Sequence, residues 1–424
     1  MGYNLIVQRR FQPGELKDSV LVAALRSLFD AQLPGGLWEK KEPIFRYGDS
    51  GDAHPFSFEL LNVLLSELSE SSSFLATHEE NFERSVGWAE RNAYRGERRL
   101  WRSGHLASNK EPESWATAEV YFFLQNYRSY LANRMLAQTL ETVGRGRLAR
   151  SPQTDSFSAL YQPCVTLDGE NKLLGDVLVE KMLEPMRLPG VSPASYSLAR
   201  HPQRRRMARS GIFFGPPGTG KTTYAAKIAD YLGWPMLTVT PSDFAAEGLL
   251  LIPTVGRRLF DRLRELEDTV IFFDEMEELM RERDGQGGFE QRFLTTSFLP
   301  SLQDLRDEAR SVYLVATNNF EHLDEAARAP RRFDFQLQVL PPSYEETRRQ
   351  IHDHFQGGVP QGVDEEVERA REKIEWATLR EAFVLTKQLE AQPGDARAVL
   401  EAFTPALLGA EDALRSEAAN NSFD

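Results

Sequence analysis

Residues 215–222 read Gly-Pro-Pro-Gly-Thr-Gly-Lys-Thr, a full match to the pattern G-x-x-x-x-G-K-[ST]. The glycines Gly215, Gly218 and Gly220 let the backbone bend so that successive N–H groups face one anion. A helix predicted to follow aims the positive end of its dipole at the same anion. Lys221 is placed to reach β- and γ-phosphates, and the Thr222 hydroxyl to hold Mg²⁺. Pro216, Pro217, Thr219 and Thr223 complete the candidate phosphate-binding set. Further along, Asp274 and Glu275 follow four apolar residues, Val270-Ile271-Phe272-Phe273. At that position Asp274 suits Mg²⁺ through water, and Glu275 suits a general base that polarises an attacking water. Asn318 follows another apolar run, Val312-Tyr313-Leu314-Val315-Ala316, and Thr317. Its amide can orient that water and sense a γ-phosphate.

Such groups act together only if their strands lie side by side with the C-terminal ends converging, which is where an open α/β sheet binds its ligands. The sequence supplies the elements. Ile212-Phe213-Phe214 is apolar throughout, as expected of a strand covered on both faces. Ala225, Ile228, Ala229 and Leu232 repeat at helical spacing, and Gly233 and Pro235 end that helix. A strand over 236–239, a helix over 257–266 and the runs at 270–273 and 312–316 follow. Phe335-Gln336-Leu337-Gln338-Val339 alternates, which suits an edge strand. Beyond Pro341-Pro342 the pattern is helical over 345–355, 365–374, 379–389 and 396–403.

Together with the run Arg328-Ala329-Pro330-Arg331-Arg332-Phe333-Asp334, these motifs resemble the AAA+ ATPases, and within them the AAA subgroup. The similarity spans about residues 165–405. It implies an α/β fold: a five-stranded parallel P-loop core over 160–340 and a helical lid over 341–408, to which the residue pattern adds a separate all-α N-terminal domain over 1–145. It implies ATP and Mg²⁺ as ligands and a homo-oligomeric ring, usually of six, with ATP between neighbours. Lys221 and Thr222 then match the first nucleotide motif, Asp274 and Glu275 the second, and Asn318 the sensor asparagine. The arginine cluster departs from the family's Arg-Pro-Gly-Arg-Phe-Asp. Ala329 stands at the first arginine, Arg331 at the glycine, and Arg332 at the second finger, with Arg328 or Arg331 as substitutes for the first. Some relatives carry a second sensing arginine near Arg380, for which an exposed, salt-bridging role is the favoured reading. Protein-threading relatives grip substrate with an aromatic loop after a Ser-Asp-Phe segment. Here Ser242-Asp243-Phe244 leads to Gly248-Leu249-Leu250-Leu251-Ile252, without an aromatic, which either grips more weakly or is core.

The N-terminal third is helical, with apolar stripes at Leu21, Leu25 and Leu28, at Leu60, Leu61, Leu64 and Leu65, and at Val120, Phe123 and Leu124. A faint echo links Trp38, a polar loop and Pro55 with Trp101, a polar loop and Pro112. Two helical-hairpin units like those of α/α toroids, or two unrelated helices, explain it equally. Arg-, Ser- and Gly-rich residues at 144–158 read as a linker. The basic run at 201–206 reads first as a solvated loop and second as a docking site for an acidic partner or for nucleic acid. Residues 409–424 read as a frayed, disordered tail.

Composition bounds the function. In 424 residues, 50 Lys and Arg face 63 Asp and Glu, a net charge of −13 that disfavours wholesale nucleic-acid binding. One cysteine, Cys164, cannot form an internal disulfide, and a small buried hydrophobe is its expected role. No apolar run is long enough for a membrane span, and without a signal-peptide layout the expected location is cytoplasmic. The leading expectation is Mg-ATP hydrolysis coupled to remodelling of a protein client selected by the N-terminal domain. A nucleotide-gated scaffold that hydrolyses slowly is the alternative, and a DNA-linked ATPase the third.

Overall fold

Apolar runs become central strands where both their faces find cover. In this computed structural model Phe213, Phe272 and Leu314 pack on one side of the sheet against Tyr224, Ala225 and Ile228 of the helix Lys221–Leu232. On the other side Phe273 stacks on Phe260 of the helix Ile252–Glu265, with ring centroids 5.8 Å apart. Phe298 meets Phe273 edge-on at 6.0 Å. The structure describes residues 18–38, 51–68, 75–94, 99–148, 163–166, 171–186, 197–276, 297–318, 320, 323, 333–355 and 358–408. They fall into two units, Met1–Ala137 and Gln138–Asp424.

The second unit holds one eight-stranded sheet. Its strands are β1 (Gly146–Arg147), β2 (Pro163–Thr166), β3 (Asn171–Leu173), β4 (Ser210–Phe214), β5 (Met236–Val239), β6 (Val270–Phe273), β7 (Val312–Thr317) and β8 (Phe335–Val339), in the order β1-β5-β6-β7-β4-β8-β2-β3. The five central strands are parallel, as expected. Three antiparallel strands add to them, one beside β5 and a hairpin beside β8. This corrects the reading of Phe335–Val339 as an edge strand. β8 lies between β4 and β2, and its alternating Gln336 and Gln338 are buried at 2% and 0% exposure. Cys164 of β2 is fully buried, and burial pushes its thiol up to about 12, so it behaves as the expected small hydrophobe.

The stretch read as a linker contributes β1. Gly146 pairs with Leu237 and Arg147 with Met236. A side chain at Gly146 would meet the Met236 carbonyl oxygen at 2.7 Å, so only glycine admits the pairing. The arginines on either side hold it there. Arg147 ion-pairs with Asp230 at 2.8 Å, and Arg145 reaches Thr240 and both carboxylate oxygens of Asp243.

Four helices and a short turn of helix follow β8, at Tyr344–His354, Gln361–Arg369, Arg371–Ile374, Leu379–Ala391 and Ala396–Ala402. They close on a core of their own that includes Ile351, Val363, Val367, Leu385 and Leu389. The expected helix over 365–374 is broken at Ala370. A reciprocal capping box starts Leu379–Ala391: Thr378 accepts from the Glu381 N–H and Glu381 accepts from the Thr378 N–H.

In the first unit the helices Asp18–Asp30, Pro55–Leu68 and Glu79–Arg91 and the start of Ser114–Val143 share one core. Leu21, Leu25, Leu61, Leu64, Val120 and Phe123 are buried in it. The echo between Trp38 and Trp101 takes physical form here. Trp38 donates its backbone N–H to Ser57 Oγ (3.2 Å) and its indole N–H to the Leu28 carbonyl (2.7 Å). Trp101 does the same with Thr117 Oγ1 (3.0 Å) and the Ala89 carbonyl (2.8 Å). The two loops leading to the partner helices then pair, Gly51 N–H to His105 O and His54 N–H to Ser103 O, each at 2.8 Å. Among the described residues no helix is long and apolar enough to cross a membrane.

Candidate active site

β4 ends at Phe214 and the chain turns through Gly215, Gly218 and Gly220, all at positive φ. Two of these are required by their surroundings. A Cβ on Gly215 would overlap the Val339 carbonyl oxygen, and one on Gly218 would come within 3.1 Å of Thr378 Oγ1. Gly220, in the left-handed conformation, starts the helix Lys221–Leu232 without a side-chain cap, which leaves its first N–H groups for an anion. Thr219 is buried and donates to the Pro216 carbonyl at 3.0 Å, which braces the turn from within.

Lys221 is only 8% exposed. Its ammonium donates to the carbonyls of Gly215 (2.8 Å) and Pro216 (2.9 Å) and to Asn318 Oδ1 (2.8 Å) at the end of β7. Thr222 Oγ1 donates to Asp274 Oδ2 across 3.2 Å. The expected lysine, hydroxyl, carboxylate and amide are therefore brought together by β4, β6 and β7. Glu275 follows as an exposed residue with φ of 55°, a left-handed conformation that a glutamate adopts only at a cost. Its N–H donates to Asp274 Oδ1 at 3.1 Å.

These groups line a cavity of about 880 Å³, within the range of small-molecule sites. Its opposite wall comes from the helices after β8 and includes Arg349, Arg380 and Phe383. The Arg380 N–H donates to the Gly218 carbonyl at 3.3 Å. Arg380 is exposed, as expected, and it also lines the cavity, because the capped end of its helix rests on the glycine turn. Arg349 escaped the sequence reading. Glu346, Arg349, Gln350 and Asp353 lie along one face of Tyr344–His354, a polar stripe whose spacing was visible but whose destination was not.

The donor set fits Mg²⁺. A hydroxyl and one nearby carboxylate are hard oxygen ligands, and Mg²⁺ takes few protein ligands alongside phosphate and water. Thr222 and Asp274 would hold it.

Arg328, Arg331 and Arg332 lie outside the described residues, as does the tail at 409–424. Asp334, two residues after Arg332, is strongly anchored. Its Oδ2 accepts from the N–H groups of Arg209 (2.9 Å) and Ser210 (3.0 Å) and from Ser210 Oγ (2.8 Å). Its Oδ1 accepts from Arg306 Nε at 3.1 Å and from Arg306 Nη2. Burial pushes this carboxyl up, but the Arg306, Arg209 and Ser210 donors outweigh it and hold it below the usual carboxylate range. Ser210 begins β4 and Gly215 follows its end, so Asp334 is fixed at the amino-terminal ends of β4 and β8, away from the glycine turn.

Leu249, Leu250 and Leu251 form one turn of 3₁₀-helix ahead of Ile252–Glu265. They are 63%, 83% and 44% exposed, whereas Ile252 is buried. The core alternative for this stretch is thereby excluded for the three leucines.

A parallel sheet with a glycine turn, an invading lysine and an Asp-Glu pair at the carboxyl ends of its strands defines a P-loop nucleoside triphosphatase. Residues 211–340 match the family model described as "ATPase family associated with various cellular activities (AAA)". Residues 211–340 are thus an ATPase domain of the AAA family. It is 31% identical over 155 residues to the ATP-dependent zinc metalloprotease FtsH of Mycobacterium leprae, a match covering 36% of this chain and 20% of that one. It is 37% identical over 155 residues to FtsH 1 of Symbiobacterium thermophilum, covering 34% of this chain and 25% of the other. The chain thus spans a fifth to a quarter of the length of these relatives. Among solved structures, the crystal structure of the FIGL-1 AAA domain aligns with a TM-score of 0.45 at 20% identity, over 67% of this chain and 93% of that one.

Proposed function

We propose that the protein hydrolyses Mg-ATP in a ring of its own copies and uses the cycle to remodel a protein client. The observation that carries the hydrolysis is the convergence of Lys221, Thr222, Asp274, Glu275 and Asn318 on one cavity. Lys221 and the N–H groups of the glycine turn hold the β- and γ-phosphates. Thr222 and Asp274 hold Mg²⁺, which when bound neutralises charge developing on the phosphate oxygens. Asn318 orients a water, and Glu275 takes its proton as the oxygen adds to the γ-phosphorus and the bond to the β-phosphate breaks. Arg380 and Arg349 close over the nucleotide from the other wall.

The ring is supported by the AAA domain at 211–340, whose family binds ATP between neighbouring copies. On that resemblance Arg332, with Arg328 or Arg331, serves the nucleotide of a neighbouring copy. Exposed leucines at 249–251 offer a client chain an apolar grip. One experiment tests both parts. Glu275→Gln should bind ATP, assemble and retain client while losing turnover, whereas Leu250→Asp should keep ATPase activity and lose client remodelling. Normal turnover in Glu275→Gln would contradict the assigned chemistry.

A second reading, a nucleotide-gated scaffold with slow hydrolysis, is favoured by the altered arginine cluster, with Ala329 and Arg331 where the family has arginine and glycine. It predicts that Glu275→Gln performs the biological task as well as wild type does.

A further inference from the structure

We propose that Asn318 is a positioning residue for nucleotide release, reclaiming Lys221 as the phosphates leave. The inference rests on the ATPase reading. A buried ammonium needs an acceptor for each of its three N–H donors. Lys221 has them in Gly215 O, Pro216 O and Asn318 Oδ1. Two belong to the same loop as the lysine. Asn318 comes from β7, and its oxygen ties the lysine to a different strand.

Phosphate oxygens compete for those donors. The carbonyls of Gly215 and Pro216 move with the loop that carries Lys221, so a nucleotide that draws the ammonium away from β7 gives up the Asn318 Oδ1 bond, which is then subtracted from nucleotide affinity. ATP and ADP feel this differently. A γ-phosphate gives the Asn318 amide N–H a new acceptor, which offsets the loss. ADP has no such group, so for the product Asn318 acts through the free enzyme alone and favours departure. The asparagine therefore has two jobs at two stages: water and γ-phosphate before hydrolysis, the lysine after it. If Asn318 served the γ-phosphate alone, its removal would leave ADP binding unchanged.

Asn318→Ala and Asn318→Leu both remove the acceptor, and the leucine keeps the volume. Affinity and release rate for a fluorescent ADP analogue, measured by stopped flow on the full chain, read the effect without turnover. In both variants the dissociation constant should fall roughly tenfold, about 1.4 kcal/mol, with the change in slower release. ADP binding that is unchanged or weaker in a variant with the wild-type circular dichroism spectrum overturns the proposal. A wild type that binds neither ADP nor ATP would instead sink the ATPase reading.

Discussion

Replacing Asp334 with asparagine tests the anchor at the amino-terminal ends of β4 and β8. The substitution keeps the shape and removes the charge. One of the two oxygens becomes an NH₂ that must face either Arg306 or the N–H groups of Arg209 and Ser210, all of them donors. Breaking one side of a buried ion pair costs about 3–5 kcal/mol. Here the Arg306 side chain keeps 26% exposure and Asp334 12%, so water softens the loss and about 3 kcal/mol is expected. For a unit as large as Gln138–Asp424 that corresponds to a fall in Tm of about 6 °C. The effect has a defined pH dependence. The folded carboxyl titrates below its unfolded value of about 3.9, so its contribution is complete above that pH and is lost as pH falls through the folded pKa. Calorimetry of wild type and Asp334→Asn should show the full gap at pH 7 and a narrowing one on acidification below about pH 4. A variant melting within about 2 °C of wild type at pH 7, or a gap that widens in acid, would refute the reasoning.

Two further outcomes follow from contacts described above. Arg380→Ala should raise the Kd for ATP by roughly ten- to a hundredfold, the worth of one hydrogen bond to a charged group, in equilibrium binding; an unchanged Kd would return Arg380 to a surface role. Gly146→Ala should lower stability by about 1–3 kcal/mol, because its methyl group meets the Met236 carbonyl oxygen; a melting curve superimposable on wild type would show that β1 is dispensable.

What could be read from the residues alone was the central machinery. Lys221, Thr222, Asp274, Glu275 and Asn318 sit where their motifs place them, because local strand and turn chemistry fixes each and the parallel sheet leaves one way to bring the strand ends together. What escaped depends on distant partners. β1 has two residues, Gly146 and Arg147, too few for any periodicity, and it exists because the edge of β5 is available. β8 alternates like an edge strand, yet the hairpin β2–β3 covers it and buries both glutamines. Arg349 and Arg380 look like surface residues of amphipathic helices until those helices fold back over the glycine turn.

The paired tryptophans of the first unit have a consequence of their own. Each tryptophan ties the end of one helix to the start of another through the same two bonds, one from its indole and one from its backbone, so the motif is self-contained and its copies join loop to loop. A gene encoding such a cassette can lengthen or shorten by whole copies without inventing a new interior. The size of the helical unit, on this view, is a quantity that duplication can adjust while the nucleotide-binding core stays the same.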